Sequence, residues 1–183
     1  MFSKSLFIHP KSSLLVFVLL LAFPFTNKAN PYPNTAIISG EMKVWHKITL
    51  SFQGPNTYEN ASVNPFMDYR LNVVFTHPDT SYEVPGYYAA SGNAAEDSDT
   101  SGNVWKVHFA PDRPGNWDYT VSFRTGTEVA ISNLSTAGTP VSFDGETGSF
   151  YVFPTDKSYP DFRASGRVSY VGKRYWQHQG SGK

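Results

Sequence analysis

The stretch Val104 to Arg124, VWKVHFAPDRPGNWDYTVSFR, alternates apolar and polar positions in two runs. Trp105, Val107 and Phe109 alternate with Val104, Lys106 and His108; then Trp117, Tyr119, Val121 and Phe123 alternate with Asp118, Thr120, Ser122 and Arg124. A period of two sends one set of side chains to each face of a strand, so both runs predict half-buried β-strands. Ala110 to Asn116 lies between them and carries two prolines and a glycine, which interrupt strands and set turn dihedrals.

The same period recurs along the chain. Val44, His46, Ile48, Leu50 and Phe52 fall on one face of a predicted strand, with Lys43, Trp45, Lys47, Thr49 and Ser51 on the other. Gln53 to Asn64 reads as a loop. Tyr69, Leu71, Val73, Phe75 and His77 predict the next strand, followed by short strands at Ser81 to Val84 and Tyr87 to Ala90, split by Pro85 and Gly86. Ser91 to Asn103 is a small-residue, acidic loop. Val129 with Ile131, Val141 with Phe143, and Phe150 with Val152 supply further short strands. With no helical period between them, strands at this spacing predict an all-β, immunoglobulin-like antiparallel β-sandwich. Asp112, Gly115, Trp117 and Tyr119 fit the corner of such a sandwich, where an aromatic beginning one strand locks the preceding loop.

The two ends differ from this body. Lys4 and Lys11 precede an apolar run from Leu14 to Phe25, which is shorter than the roughly 20 residues a spanning helix needs. Residues 1–29 therefore read as a secretory signal peptide, with cleavage near Ala29 and no stable membrane insertion afterwards. That address is secreted, periplasmic or cell-surface. Residues 30–35 form a linker, 36–153 the sandwich and 154–166 a second linker. Arg167 to Val171 and Tyr175 to Gln179 predict a terminal hairpin around Gly172 and Lys173. A lone hairpin is marginal in water, so 167–183 reads as the start of a truncated following unit.

Composition narrows the function classes. Fifteen basic and fifteen acidic residues balance, so no electrostatic footprint for nucleic acid is present. The chain has no cysteine, which removes disulfides and thiolate metal sites and leaves stability to an aromatic-rich core.

Candidate chemistry is sparse. Asp97, Asp99, Ser101 and Gly102 match the opening of a calcium loop, but the twelfth position is His108 inside a predicted strand, so the segment reads as a solvated acidic loop. His46, His77, His108 and His178 lack the short spacings of a zinc site. No G-x-S-x-G turn marks a nucleophile, and no spacing selects a carboxylate pair among residues such as Glu41, Asp68, Glu83, Asp112 and Glu146. No catalytic residue and no cofactor are assigned. The aromatics are the stronger binding candidates. Tyr87 and Tyr88 follow a turn and suit either sugar contact or ordinary packing. Tyr170, Tyr175 and Trp176 crowd the terminal hairpin and read as contacts to a neighbouring domain.

Several segments together resemble a known family: GEMKVWHKITLSFQGP (Gly40 to Pro55), NPFMDYRLNVVFTHP (Asn64 to Pro78), VPGYYAASGNAAE (Val84 to Glu96), VWKVHFAPDRPGNWDYTVSFRTG (Val104 to Gly126), FDGETGSF (Phe143 to Phe150) and DFRASGRVSYVGKRYW (Asp161 to Trp176). In order and spacing they are similar to domain of unknown function 5060, the N-terminal domain of exported bacterial glycoside hydrolase-like proteins. That resemblance implies a noncatalytic β-sandwich accessory module whose partner is a C-terminal catalytic barrel. It implies polysaccharide as the wider target and assigns no catalytic residue to this portion. Two other function classes stay open beside it: a carbohydrate-binding module and a structural or adhesive surface domain.

Overall fold

The computed structural model describes residues 36–183. The expected signal peptide and the first linker lie outside the described residues.

Two antiparallel sheets face each other. The first runs β1 (Ile37–Gly40), β2 (Ile48–Tyr58), β6 (Ser101–Phe109) and β5 (Tyr87–Tyr88) in that spatial order. The second runs β4 (Thr80–Pro85), β3 (Tyr69–His77) and β7 (Gly115–Thr125), whose far edge is shared by β8 (Thr139–Pro140) and β9 (Thr147–Val152). Alternation dictates what lies between them. Ile48, Leu50 and Phe52 from β2 and Trp105, Val107 and Phe109 from β6 meet Leu71, Val73 and Phe75 from β3 and Trp117, Tyr119, Val121 and Phe123 from β7 in one buried cluster. Rings join the layers directly: Phe75 stacks on Phe109 with centroids 4.1 Å apart. The predicted all-β antiparallel sandwich is the observed fold.

The corner between β6 and β7 holds as its aromatic pattern predicts. Trp117 is fully buried, and its indole Nε1 donates to the Arg113 carbonyl at 3.1 Å, tying the loop to the first turn of β7.

Four local expectations are corrected. β2 starts at Ile48 rather than near Lys43, because Trp45 takes a left-handed conformation (φ 65°) and donates its backbone N–H to Pro111 instead of a strand partner. β2 then continues through the expected loop to Tyr58, with a register shift between Gln53 and Thr57. Gly54 sits at this irregularity with the Trp105 indole so close that a Cβ would lie 2.6 Å from it, so the ring needs glycine there. Val129–Ile131 is a 3₁₀ turn, not a strand: Val129 is buried while Ile131 is 64% exposed. Phe143 belongs to a turn that drives its ring between the layers, stacked on Phe52 (4.5 Å) from one sheet and Phe123 (4.4 Å) from the other. Burying three rings this way outweighs the short strand its neighbours predict.

Two four-residue helices complete the chain, α1 (Ala94–Asp97) in the acidic loop and α2 (Phe162–Ser165) in the segment after the sandwich. β10 (Val168–Tyr170) and β11 (Trp176–His178) form the terminal hairpin. Among the described residues no helix is long and apolar enough to cross a membrane.

Candidate functional site

A cleft of about 630 Å³ opens where β4 and β5 leave the two sheets side by side. Its floor is the outer face of the second sheet: Arg70 and Asn72 from β3, Glu83 from β4 and Ser122 from β7. These positions alternate with the core residues of the same strands, so the pattern that buries Leu71 and Val73 also turns Arg70 and Asn72 outward. One wall is the loop after the 3₁₀ turn, with Ser132, Asn133 and Ser135; the other is Pro65 and Phe66. Phe66 is 52% exposed, an apolar ring left open beside polar groups. Such a mixture of one flat ring and convergent polar side chains in a cleft of this size suits a small ligand.

The polar groups are held in place. Asn72 Nδ2 donates to Glu83 Oε1 at 2.5 Å. The Arg70 guanidinium donates to the carbonyls of Ser132 (2.8 Å) and Ser135 (2.9 Å), with a longer bond to Val129 (3.5 Å), and so fixes the loop wall.

The tyrosine pair divides at this cleft. Tyr88 points inward, is 6% exposed, and donates its hydroxyl to the Thr57 (2.6 Å) and Gly102 (3.2 Å) carbonyls. Its ring packs against Trp105 and meets the Phe66 edge at 6.0 Å, so it supports the cleft from below. Tyr87 also lines the cleft at its β5 edge, is 44% exposed, and turns its hydroxyl toward the outer face of the first sheet. Its hydroxyl lies 2.9 Å from His108 Nε2, and the Thr49 hydroxyl lies 2.9 Å from His108 Nδ1, making a polar row across β5, β6 and β2. Burial first, then Lys47 and Lys106, push the His108 pKa down, which keeps the imidazole neutral and able to use both neighbours.

A second cluster ties the terminal hairpin to the sandwich. The Arg167 guanidinium lies over the rings of Tyr82 (5.1 Å) and Trp45 (5.8 Å), donates to the Tyr82 hydroxyl (3.2 Å) and to Gln179 Oε1 (2.6 Å), and stands 3.8 Å from Asp112 Oδ2. Tyr82 in turn donates to Asp112 at 2.6 Å. Two glycines let backbone lie flat on the indole: a Cβ on Gly166 would sit 2.8 Å from the Trp45 ring, and one on Gly180 2.9 Å. Tyr170, Tyr175 and Trp176 stand on the outside of this hairpin, between 54% and 66% exposed.

Glu41, His46 and Asp156 bring potential metal-ligating atoms within 4.8 Å of one another. The donor set does not fit a cation, because the Lys43 ammonium already bridges Glu41 (3.0 Å) and Asp156 (2.7 Å), with Lys157 3.3 Å from Asp156. The hydrogen bond from Lys43, with Lys157 beside it, holds the Asp156 pKa down to about 2. Burial pushes the His46 pKa down, so a neutral ring rests 3.4 Å from Glu41 Oε2 and 3.4 Å from the Thr155 hydroxyl. The cluster is an ion-pair lock that fastens the segment after β9 to the entry of β2. At Asp97, Asp99 and Ser101, the Asp97 carboxylate accepts from Ser91 and from the Asp99 backbone, an ordinary turn; His108 lies within β6.

Sequence reading found Tyr87 and Tyr88 but not Arg70, Asn72, Glu83 or Phe66. The one available signal was an arginine and an asparagine on the polar face of a core strand.

The comparisons agree with the architecture. The family described as a domain of unknown function (DUF5060) matches residues 41–124, the stretch from the β2 entry to the end of β7. Among solved structures the chain is similar to one from Bacteroides vulgatus ATCC 8482, described as a "putative glycoside hydrolase", with a TM-score of 0.51 and 22% identity. The match covers 79% of this chain and 21% of that one, so this chain spans about a fifth of that neighbour's length. At that identity the likeness speaks for the fold alone. None of the curated proteins matches.

Proposed function

We propose that this chain, which matches DUF5060 over residues 41–124, is the noncatalytic β-sandwich module of an exported, glycoside hydrolase-like protein. In this reading residues 1–29 direct bacterial export to the periplasm, surface or medium, and the module packs against and orients a catalytic barrel. The Arg167 cluster carries the reading. It clamps the terminal hairpin onto Trp45, Tyr82 and Asp112, so a domain resting on Tyr170, Tyr175 and Trp176 inherits the orientation of the sandwich. An orienting role needs such a stiff connection, since flexible linkers leave domains to reorient freely.

The assay is the chain itself, expressed from Ala36 to Lys183 and incubated with a panel of plant and algal polysaccharides. No reducing ends are expected to appear. Sustained turnover that survives repurification would overturn the noncatalytic assignment.

A second reading, that the module also holds saccharide, is favoured by the cleft: an open Phe66 ring beside Asn72, Glu83 and Arg70 offers a stacking face and hydrogen-bond partners for sugar hydroxyls. Tyr87, at the β5 edge of the same cleft, offers a second exposed ring. Retention on polysaccharide affinity gels, compared between the parent chain, Phe66→Ala and Tyr87→Ala, assigns the contact to one ring or the other.

A further inference from the structure

Arg70 and Arg124 are direct cross-strand partners on β3 and β7, on the same outward face. Like charges placed opposite one another destabilise a sheet unless something offsets them. Here the described partners are all backbone carbonyls: Arg70 bonds Val129, Ser132 and Ser135, and Arg124 bonds Thr136, Ala137 and Gly138. Neither guanidinium has a carboxylate within ion-pair distance among the described residues. Carbonyls satisfy hydrogen bonds but leave both unit charges uncancelled. A guanidinium has five N–H donors, and Arg70 uses three, so two remain for an oxyanion.

Glu83 gives the cleft its opposite pole. It faces Val74 across β3 and β4, and its carboxylate is held by Asn72, two residues or about 7 Å along the strand from Arg70. The carboxylate accepts from Asn72 and makes no ion pair with Arg70 among the described residues. The cleft therefore has a cationic end at Arg70, an acceptor-rich end at Asn72 and Glu83, and an open ring at Phe66.

We infer that this cleft binds an anionic saccharide, with a uronate carboxylate or sulfate ester on Arg70, sugar hydroxyls on Asn72 and Glu83, and a ring face on Phe66. The inference rests on the second reading above and specifies its ligand. A purely structural role for Arg70, as the pin of the loop wall, leaves the doubled uncancelled charge and its position in an open cleft without a purpose.

Calorimetric titration of the chain with oligogalacturonides, with sulfated galactan oligosaccharides and with neutral galacto-oligosaccharides tests it. At low salt at least one anionic series is expected to bind about tenfold or more tightly than the neutral one, and added salt should erase the difference. The two anionic arms separate carboxylate from sulfate. Arg70→Gln should remove the preference; because that change also frees the loop wall, Ser122→Asp serves beside it, adding a negative charge to the floor while leaving every Arg70 bond in place. It should weaken anionic binding about tenfold more than it weakens neutral binding. Equal affinity for the anionic and neutral series, or anionic binding indifferent to Ser122→Asp, overturns the charge assignment and leaves a saccharide cleft standing. No binding in any of the three arms overturns the saccharide reading as well.

Discussion

Trp117 does two jobs with one side chain: its ring fills the core between Phe109, Tyr82 and His77, and its indole N–H holds the Arg113 carbonyl. Trp117→Ala should cost about 3–5 kcal/mol of unfolding free energy by emptying that volume. Trp117→Phe keeps most of the ring and should cost about 1–2 kcal/mol, mainly for the lost hydrogen bond. Urea titrations of both variants check the ordering; a Phe variant as damaged as Ala would mean the indole bond, not packing, dominates the corner. This residue was legible in the sequence because its partner is four positions away. The tyrosines were only half legible. Alternation says that Tyr87 and Tyr88 point to opposite faces, but which of them meets solvent depends on β6, which pairs with them from about 18 residues downstream.

Among the elements, the terminal hairpin depends most on a single contact set. Arg167→Ala removes the cation from over Tyr82 and Trp45 and the bonds to Gln179 and the Tyr82 hydroxyl. The sandwich should keep its melting temperature to within a few degrees, while β10 and β11 lose amide protection and become open to protease. Hydrogen exchange followed by peptide mass analysis reads both together; a hairpin equally protected in the variant would show that the glycine contacts on Trp45 suffice. Strands β3, β6, β7 and β9 were legible because each carries its own period of two. The Val129 turn and the Phe143 turn were not, since their short apolar pairs are spaced like strands and only the slot between the sheets decides their shape.

For the molecule as a whole, acid is the informative stress. His46 and His108 are both held below the ordinary histidine pKa by burial, so the folded state binds protons less readily than the unfolded chain. Their contribution is fully present above about pH 6.5 and drains away as the pH falls through the lower folded values. Asp156 and Asp161, both held at about 2, add a second loss between about pH 3.8 and 2, whereas Glu146, pushed up by burial, works in the opposite sense. The melting temperature should be level from pH 8 to 7, begin to fall below about pH 6.5, and fall further below about pH 4. In His46→Gln the first decline should be shallower than in the parent chain; identical slopes would remove His46 from the account. The lock around His46 and the cleft around Arg70 both escaped sequence reading for one reason. Their members come from strands and loops up to 116 positions apart, and alternation names a face without naming its neighbours. The Phe143 plug has a further consequence. β8 and β9 hold successive stretches of the same β7 edge, and the ring between them is pegged from both sides. One residue more or fewer between Pro140 and Thr147 would either draw the peg from its slot or slide β9 by a step and invert every side chain on it. That connection has a frozen length: in the gene, this stretch forgives an altered codon more readily than an inserted or deleted one.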